Sequence, residues 1–318
     1  ASRFFQTYSF SFVEPWMGGK KPVQFSTSIN RTLQFRYNPR TGDADKDQRF
    51  VITGATVGLA KRLNWPDNYF QLSHALSFQH YDLQNYQTSL FNFPNGYSNN
   101  LAYTIALSRN NTSVNPIFPM AGSEFSISLK LTAPYSLFNN IDYANLGDDP
   151  DYQTVGPNNE IIPDAEKIDQ EKYKWLEFYK VKFSGNWYTN LFAKLVMKTG
   201  MEFGFLGAYN QDRGVIPFER FFLGGDGLGN YTLDGRENIQ LRGYPNQSLS
   251  GNDGSTVYNK FSLEMRYPIT LKPTASIYAL SFLEGGASYD NLESYNPFDL
   301  KRSAGLGVRI FMPAFGLL

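Results

Sequence analysis

Apolar and polar residues alternate along most of this chain, and the alternation returns in about eleven separate segments. One segment shows it clearly, with two interleaved sets of residues: Phe125, Ile127, Leu129 and Leu131, and Ser126, Ser128, Lys130 and Thr132. Successive side chains of a β-strand point to opposite faces, so each segment predicts a strand with one apolar face. The predicted strands span approximately residues 5–14, 22–36, 49–61, 68–82, 99–109, 122–134, 176–188, 190–206, 256–268, 275–289 and 302–312.

The connections between these strands alternate in length. The shorter ones lie near residues 15–21, 62–67, 110–121, 188–190 and 269–273. The longer ones lie near residues 37–48, 83–98, 135–175, 207–256 and 290–301. Short turns at one end and long loops at the other are typical of an outer-membrane barrel, whose long loops face the outside of the cell. The sequence therefore predicts an all-β, transmembrane, antiparallel up-and-down β-barrel.

The composition fits a membrane barrel better than a helical membrane protein. The mean hydropathy is −0.39, and no apolar stretch approaches the roughly 20 residues that a spanning helix needs. Barrel strands turn only alternate residues to lipid, and their aromatic residues form girdles at both interfaces. Aromatic residues make up 16% of this chain, in line with such girdles. A soluble β-sandwich is the alternative, although its strands usually have about five or six residues.

Charge and residue counts argue against several other partners and sites. Lys and Arg total 29 and Asp and Glu total 29, so the net charge is zero, which argues against a nucleic-acid partner. The chain has no cysteine and therefore no thiolate metal site. His74 and His80 share one strand face without a third candidate ligand, so we predict no metal site and no cofactor.

An odd number of strands does not fit a complete bacterial barrel, because single-chain barrels normally have an even number. Unpaired strand edges are also costly in lipid. The chain begins within a few residues of an alternating run, with Tyr8, Phe10 and Phe12, and stops soon after another one. We therefore expect further strands on both sides of this segment.

The connection at about residues 207–256 is unusually long and aromatic. Connections above about 12 to 15 residues without secondary structure are usually functional or disordered, and disordered linkers are poor in aromatic residues. The first half of this connection contains the motif residues Pro217, Phe218, Phe221, Gly224 and Gly225. The second half ends in Arg242, Gly243 and Tyr244.

This set of residues resembles the inward-folding loop of the bacterial surface antigen family. In that family the loop ends in Arg-Gly-Phe or Arg-Gly-Tyr, folds back into the barrel lumen, and has its Arg held by acidic side chains on two following strands. The matching acids here are Glu264 and Glu284. The family usually has Asp at the second position, so Glu284 is a departure that adds one methylene. Arg-Gly-Tyr alone is a common tripeptide, and its specificity comes from the combination with the upstream motif and the two acids.

The resemblance extends over essentially the whole chain. The turn at residues 14–22 is similar to the Bacteroidetes-type form of the family, residues 118–123 resemble its Pro-x-x-Gly-Ser/Thr turn, and residues 303–307 resemble its fourteenth strand. Together these similarities map the chain onto strands four to fourteen of sixteen. The resemblance thus implies that residues 1–318 form a partial barrel domain, with the POTRA repeats and both seam strands outside this segment.

The function that the resemblance implies is that of the barrel subunit of the β-barrel assembly machinery in the bacterial outer membrane. Such a protein is not an enzyme, and it folds and inserts client proteins through a lateral seam. The implied partners are outer-membrane lipids, nascent outer-membrane β-barrel proteins, and periplasmic and lipoprotein accessory subunits. The alternatives are a polypeptide-translocating barrel of the two-partner secretion or translocation-and-assembly type and, less favoured, a passive porin without the Arg-Gly-Tyr and two-acid set.

Electrostatics gives the loop motif a physical role. A buried charge must be paired, and the planar guanidinium of an arginine can bind two carboxylates. We therefore predict that Arg242, Glu264 and Glu284 form a latch that holds the loop inside the lumen. Gly243 would allow a tight turn beside the wall, and Tyr244 would add apolar contact and one hydrogen bond. The alternative is that both glutamates only line a wet channel.

Overall fold

The computed structural model describes residues 3–19, 21–88, 91–112, 115, 117–226, 236–313 and 316–317. Lys20, in the turn at residues 14–22, lies outside this part of the chain. In chain order the strands and the α-helix are β1 (Phe5–Glu14), β2 (Val23–Asn38), β3 (Asp43–Arg62), β4 (Phe70–Gln84), β5 (Gly96–Asn110), β6 (Gly122–Thr132), β7 (Gln153–Val155), β8 (Ile161–Pro163), α1 (Ala165–Tyr173), β9 (Tyr179–Phe192), β10 (Leu195–Gly207), β11 (Phe221–Leu223), β12 (Glu237–Ile239), β13 (Val257–Lys272), β14 (Ala275–Tyr289), β15 (Lys301–Met312) and β16 (Gly316–Leu317).

One large sheet forms the wall of the molecule. Its strand order is β1-β2-β3-β4-β5-β6-β9-β10-β13-β14-β15-β16, and each strand runs antiparallel to its neighbours. All eleven predicted strands are present, and the two-residue β16 adds the start of a twelfth. Within the described residues, β1 and β16 are the two edges of this sheet. The predicted all-β, antiparallel up-and-down architecture is confirmed.

The two faces of the wall differ in polarity. Cross-strand partners share a face, so Lys198 lies beside Glu264 on one face and Met197 lies beside Met265 on the other. Leu306 is 86% exposed, whereas Glu264 is only 3% exposed. We call the exposed, mostly apolar face the outer face and the charged, buried face the inner face. This separation follows from the two-residue alternation in the sequence.

Two connections differ from the prediction. The long loop expected at residues 37–48 is a tight hairpin, because β2 continues to Asn38 and β3 begins at Asp43, with a register shift after Phe35. Polar side chains indicated a loop in the sequence, but the hydrogen bonds of an antiparallel pair join backbone groups and tolerate polar side chains. The turn expected at residues 188–190 lies at Ala193 and Lys194, since β9 extends to Phe192.

The other long connections leave the same end of the sheet, which we call the long-loop end. The connection between β6 and β9 is partly structured, since β7 pairs with β8 and is followed by α1. Asp164 caps α1, because its side chain accepts hydrogen bonds from the backbone N–H groups of Glu166 and Lys167 at 3.1 and 3.2 Å. In the described part of the chain, no helix is long and apolar enough to cross a membrane.

Two clusters of apolar side chains lie on the inner side of the wall. The smaller lies at the short-turn end, where Phe118 packs edge-on against Tyr278 with ring centroids 5.2 Å apart. Phe118 belongs to the turn at residues 118–123, so this turn folds inward. The larger cluster joins the wall to the connection between β10 and β13, and its buried members are Phe50, Ile52, Tyr81, Leu83, Phe91, Phe93, Leu176, Phe178, Leu206, Ile216, Phe218, Phe221, Leu223, Ile239, Leu241 and Tyr258.

Candidate functional site: the loop between β10 and β13

We call residues 208–256 the inner loop; its described parts, residues 208–226 and 236–256, pack against the inner face of the wall. Phe218 and Phe221 are 1% and 0% exposed. The ring of Phe218 contacts that of Tyr81 on β4, with centroids 4.9 Å apart, and the ring of Phe221 contacts that of Tyr258 on β13, with centroids 4.7 Å apart. These aromatic residues, which made the segment unusual in the sequence, therefore attach the inner loop to distant strands of the wall.

The Gly-Gly motif lies where two arms of the inner loop cross. β11 and β12 pair in parallel, and β11 leads directly into Gly224. Gly224 has a φ of 120°, and a Cβ atom there would lie 2.6 Å from the carbonyl oxygen of Pro245. Gly225 forms a bridge with Leu241, next to Arg242. Since a side chain at Gly224 would clash with backbone, this close crossing of the two arms requires glycine. Pro217 is partly buried just before Phe218.

Arg242, Glu264 and Glu284 lie together on the inner face. The Arg242 backbone N–H donates to Oε2 of Glu284 at 2.9 Å, and its Nε donates to Oε1 of Glu284 at 3.0 Å. Its Nη2 donates to Oε1 of Glu264 at 2.6 Å and to Oε1 of Glu284 at 2.5 Å. The guanidinium thus bridges β13 and β14, and this pairing geometry is the one that the latch hypothesis requires.

Further groups surround these two carboxylates. Arg266, on the same strand as Glu264, donates to Oε2 of Glu264 from Nε at 2.7 Å and from Nη2 at 2.5 Å. The Arg242 guanidinium carbon also lies 3.8 Å from the centroid of the Phe282 ring, in cation–π contact. Among the described residues, the hydrogen bonds to the Glu284 carboxylate come only from Arg242. Arg309 Nη2 also lies 3.9 Å from Oε1 of Glu264, so among the described residues Glu264 has three arginine partners and Glu284 has one.

Gly243 and Tyr244 join the inner loop to β15. Gly243 has a φ of 85°, and a Cβ atom there would lie 3.1 Å from Cβ of Ser303. The Tyr244 hydroxyl donates a hydrogen bond to the backbone carbonyl of Arg302 at 2.9 Å. The tripeptide Arg242–Tyr244 therefore contacts three consecutive strands, β13, β14 and β15.

Replacing Gly243 by alanine is expected to weaken loop docking by about 1 to 2 kcal/mol, because a Cβ atom disfavours a left-handed φ. Limited proteolysis of the detergent-solubilised protein measures this effect, and cleavage within residues 236–256 should become roughly tenfold faster. The matched control is Gly251→Ala, where a Cβ atom would meet nothing within 4 Å. Equal cleavage rates for the two variants would contradict the assigned role of Gly243.

A second ion-pair cluster was missed by the sequence analysis. Lys180, on the inner face of β9, is 5% exposed, and its Nζ lies 3.0 Å from Oε2 of Glu219 and 2.9 Å from Oε2 of Glu237. Lys130 also pairs with Glu219, and Lys182 also pairs with Glu237. Three lysines of the wall thus bind two carboxylates of the inner loop, at the arms that precede and follow the Gly-Gly motif.

One signal in the sequence could have revealed this cluster. Lys130, Lys180 and Lys182 all fall on the polar face of their strands, and Lys130 is directly opposite Lys180 in the register of β6 and β9. Like charges in direct cross-strand pairs are destabilising, so such a pair needs counter-ions from elsewhere. The sequence does not say which carboxylates supply them, since that depends on the path of the inner loop.

Glu219 combines an unusual backbone with a strongly shifted pKa. Its φ of 63° lies in the left-handed region, which few residues other than glycine adopt. Burial raises the pKa of its carboxyl group, but the ammonium groups of Lys180 and Lys130 outweigh burial and lower the pKa to about 2. The unperturbed value is 4.5, so the ion pairs stabilise the docked loop fully above that pH and lose this contribution as the pH falls towards 2.

A third contact fixes the start of the inner loop to the connection between β6 and β9. Nη1 of Arg213 donates to Oε2 of Glu177 at 2.6 Å, and both side chains are buried. Its Nη2 donates to the backbone carbonyls of Trp175, at 2.7 Å, and Lys172. The guanidinium also lies 4.9 Å from the centroid of the Tyr143 ring. Arg213 thereby joins two long connections at the same end of the wall.

The two histidines lie on the outer face rather than in a ligand cluster. Nδ1 of His74 is 2.5 Å from the Tyr103 hydroxyl, and Nδ1 of His80 is 2.8 Å from Oδ1 of Asn99. In the described part of the chain, no group of three or more acidic or histidine side chains is arranged to bind a metal ion.

An antiparallel barrel wall with an apolar outer face and a long loop bound to its charged inner face defines a class, the outer-membrane β-barrels with an internal loop. The chain belongs to the Omp85 superfamily, because the family model described as the Omp85 superfamily domain matches residues 1–318. This finding confirms the family resemblance and locates the chain in the bacterial outer membrane. No curated protein matches the sequence.

A solved structure shares this fold. The chain is similar to BamA from Haemophilus ducreyi lacking POTRA domains 1-3, with a TM-score of 0.63 and 16% identity, over 99% of this chain and 57% of that chain. It also matches CdiB from Escherichia coli, with a TM-score of 0.48 and 12% identity, over 97% of this chain and 47% of that chain. This chain therefore spans a little over half the length of the BamA chain, 57%.

Proposed function

We propose that this chain is the barrel portion of an assembly factor that folds and inserts client β-barrel proteins into the outer membrane. The observation that carries the proposal is the pairing of Arg242 with Glu264 and Glu284, the geometry that the predicted latch requires. Membership of the Omp85 superfamily and the fold shared with BamA support it. By the family resemblance, clients would pair with the seam between the first and last strands of the whole barrel, and the latch would brace the wall.

The proposed partners follow from this role. They are outer-membrane lipids on the outer face, nascent β-barrel proteins at the seam, and periplasmic and lipoprotein accessory subunits. The turn at residues 14–22 supports a Bacteroidetes-type assembly complex. Lowering the barrier to insertion requires no covalent chemistry, so we propose neither an enzymatic activity nor a cofactor. A passive porin is disfavoured, because apolar side chains such as Leu223 and Leu241, both 0% exposed, pack the inner side of the wall instead of lining a wet passage.

Depletion of the full-length protein in its native host tests this proposal. The expected result is a general fall in outer-membrane β-barrel proteins, which a plasmid copy of the wild-type gene restores. Loss of a single exported protein, with other barrels at normal levels, would instead indicate a polypeptide-translocating barrel. High steady conductance of the purified protein in planar bilayers would indicate a porin. Either of the last two results would overturn the assembly role.

A further inference from the structure

The outer face of β13, β14 and β15 contains a groove near the long-loop end. Its upper part has a volume of about 510 Å³. Ala304 on β15 forms its floor, because its small side chain does not fill the space between the neighbouring strands, and Gly285 on β14 lines the upper end beneath the side chain of Leu300. Apolar side chains form its sides and upper end, namely Phe261, Leu263, Leu283 and Leu300.

A second depression continues the groove along the wall. It has a volume of about 500 Å³ and shares Leu263, Leu283 and Ala304 with the first. It extends as far as Leu306, which is 86% exposed on the outer face. From Arg302 to Leu306 the strand rises by about 13 Å, and one leaflet of the hydrocarbon core is roughly 15 Å thick. The groove is therefore long enough to hold most of an acyl chain that crosses one leaflet.

The upper rim of the groove carries a positive charge. Arg302 lines the upper depression, and within the described part of the chain its guanidinium makes no ion pair. Leu300 closes the groove above Gly285, where an added Cβ atom would lie 3.2 Å from Cδ1 of Leu300. Apolar surface below and a single arginine at the rim match a lipid with an acyl chain below and an anionic headgroup above. An arginine fork suits a phosphate in particular, since it offers two parallel N–H donors.

We propose that this groove is a binding site for one phosphorylated lipid of the leaflet at the long-loop end. The acyl chain lies along Leu283 and Ala304, below Leu300, and the phosphate binds Arg302. The connection lengths predict that the long-loop end faces outside, so the occupant is a phosphorylated glycolipid of the outer leaflet. Basic side chains beside an apolar surface are a general means of binding lipid headgroups.

The lipid site and the latch lie on opposite faces of the same strands. Glu284 points inward to Arg242, while its neighbour Gly285 lines the groove on the outer face. The backbone carbonyl of Arg302 accepts the hydrogen bond from Tyr244. The inner loop thus supports the strand segment that presents Arg302 to the lipid. The proposed lipid site does not depend on the assembly role, because it rests on the outer face alone.

Native mass spectrometry of the full-length protein in detergent micelles tests the site. The probe is bisphosphorylated lipid A, with dephosphorylated lipid A as the comparison. Wild-type protein is expected to retain one lipid A, and Arg302→Gln should reduce the bound fraction about fivefold or more. Ala304→Phe fills the groove and should abolish retention of both forms. Folding of each variant is checked by the heat-dependent shift of its mobility in gel electrophoresis. If Ala304→Phe does not fold, Ala304→Leu is used in its place.

Two controls separate the groove from the rest of the lipid-facing wall. Val308→Phe also places a phenylalanine on the outer face of β15 but outside the groove, and Arg31→Gln removes another exposed arginine on the outer face. Both controls should bind lipid A as the wild type does. Equal retention of lipid A by Arg302→Gln, Ala304→Phe and wild type would overturn the site. Equal retention of phosphorylated and dephosphorylated lipid A by the wild type would overturn the role of Arg302.

Discussion

Replacing Arg242 by alanine is expected to release the inner loop from the wall. The substitution leaves Glu284 buried, 6% exposed, without the hydrogen bonds that Arg242 donates. Removing one partner of a buried ion pair costs about 3 to 5 kcal/mol, which corresponds to at least a hundredfold rise in local opening. Hydrogen exchange measures this rise at the Phe221 and Gly224 amides, which donate to the carbonyls of Ser255 and Ile239 at 2.9 and 3.0 Å.

Second substitutions separate the latch from a general loss of stability. Arg242→Ala with Glu284→Gln should recover part of the protection, because the uncompensated charge is gone. Arg242→Ala with Glu264→Gln should recover less, since Arg266 already pairs with Glu264 at 2.5 Å and would lose its partner. Arg40→Ala, at the exposed tip of the β2–β3 hairpin, is the control and should exchange as the wild type does. Unchanged exchange in Arg242→Ala would show that the latch does not hold the loop.

Replacing Lys180 by methionine is expected to have the second largest effect. Methionine has similar length but no charge, so Glu219 and Glu237 each lose one partner while Lys130 and Lys182 still pair with them. We therefore expect a cost near the lower limit for a broken buried pair, about 3 kcal/mol. Thermal unfolding in detergent and hydrogen exchange at the Phe221 amide measure it. Lys194→Met, in the exposed turn between β9 and β10, is the matched control.

The pH dependence gives this second prediction an independent readout. In the wild type, protection of the inner loop should fall as the pH drops from 4.5 towards 2, because the Glu219 carboxylate becomes protonated. In Glu219→Gln that part of the decline should be absent. A pH profile that is the same in the wild type and in Glu219→Gln would show that the Glu219 ion pairs do not support docking.

The strands of the barrel wall could be predicted from the sequence, because the alternation of apolar and polar side chains depends only on residues that are neighbours in the chain. Each of Phe125, Ile127, Leu129 and Leu131 lies on the outer face of β6, as the two-residue alternation requires. Strand ends were predicted less well. Asp43 and Asp45 continue the ladder of β3 beyond a bulge at residues 46–48, and β9 continues to Phe192 before the chain turns. The ladder bonds backbone groups, so side-chain polarity alone does not mark where it stops.

In the candidate site, too, some residues could be predicted from the sequence and others could not. Arg242, Glu264 and Glu284 were found because a family motif names all three positions, and the structure brings their side chains within hydrogen-bond distance. Glu219 and Glu237 were missed because each lies in the inner loop without a local pattern. Glu219 lies 39 residues after its partner Lys180, and Glu237 lies 55 residues after its partner Lys182. Contacts of this kind depend on the tertiary path of the inner loop, which strand periodicity does not encode.

The inner loop is attached to the wall at three separate arcs, through Phe218 at β4, through Glu219 at β6 and β9, and through Arg242 at β13 and β14. Because the inner loop is bound to the sheet at these three places, the distances between them are fixed. The part of the sheet from β3 to β15 must then move as one rigid unit. Among the described residues, β1 and β2 contribute nothing to the buried cluster beneath the loop. Between the attachment points the sheet is therefore expected to move as a unit, whereas the inner loop places no such constraint on β1 and β2.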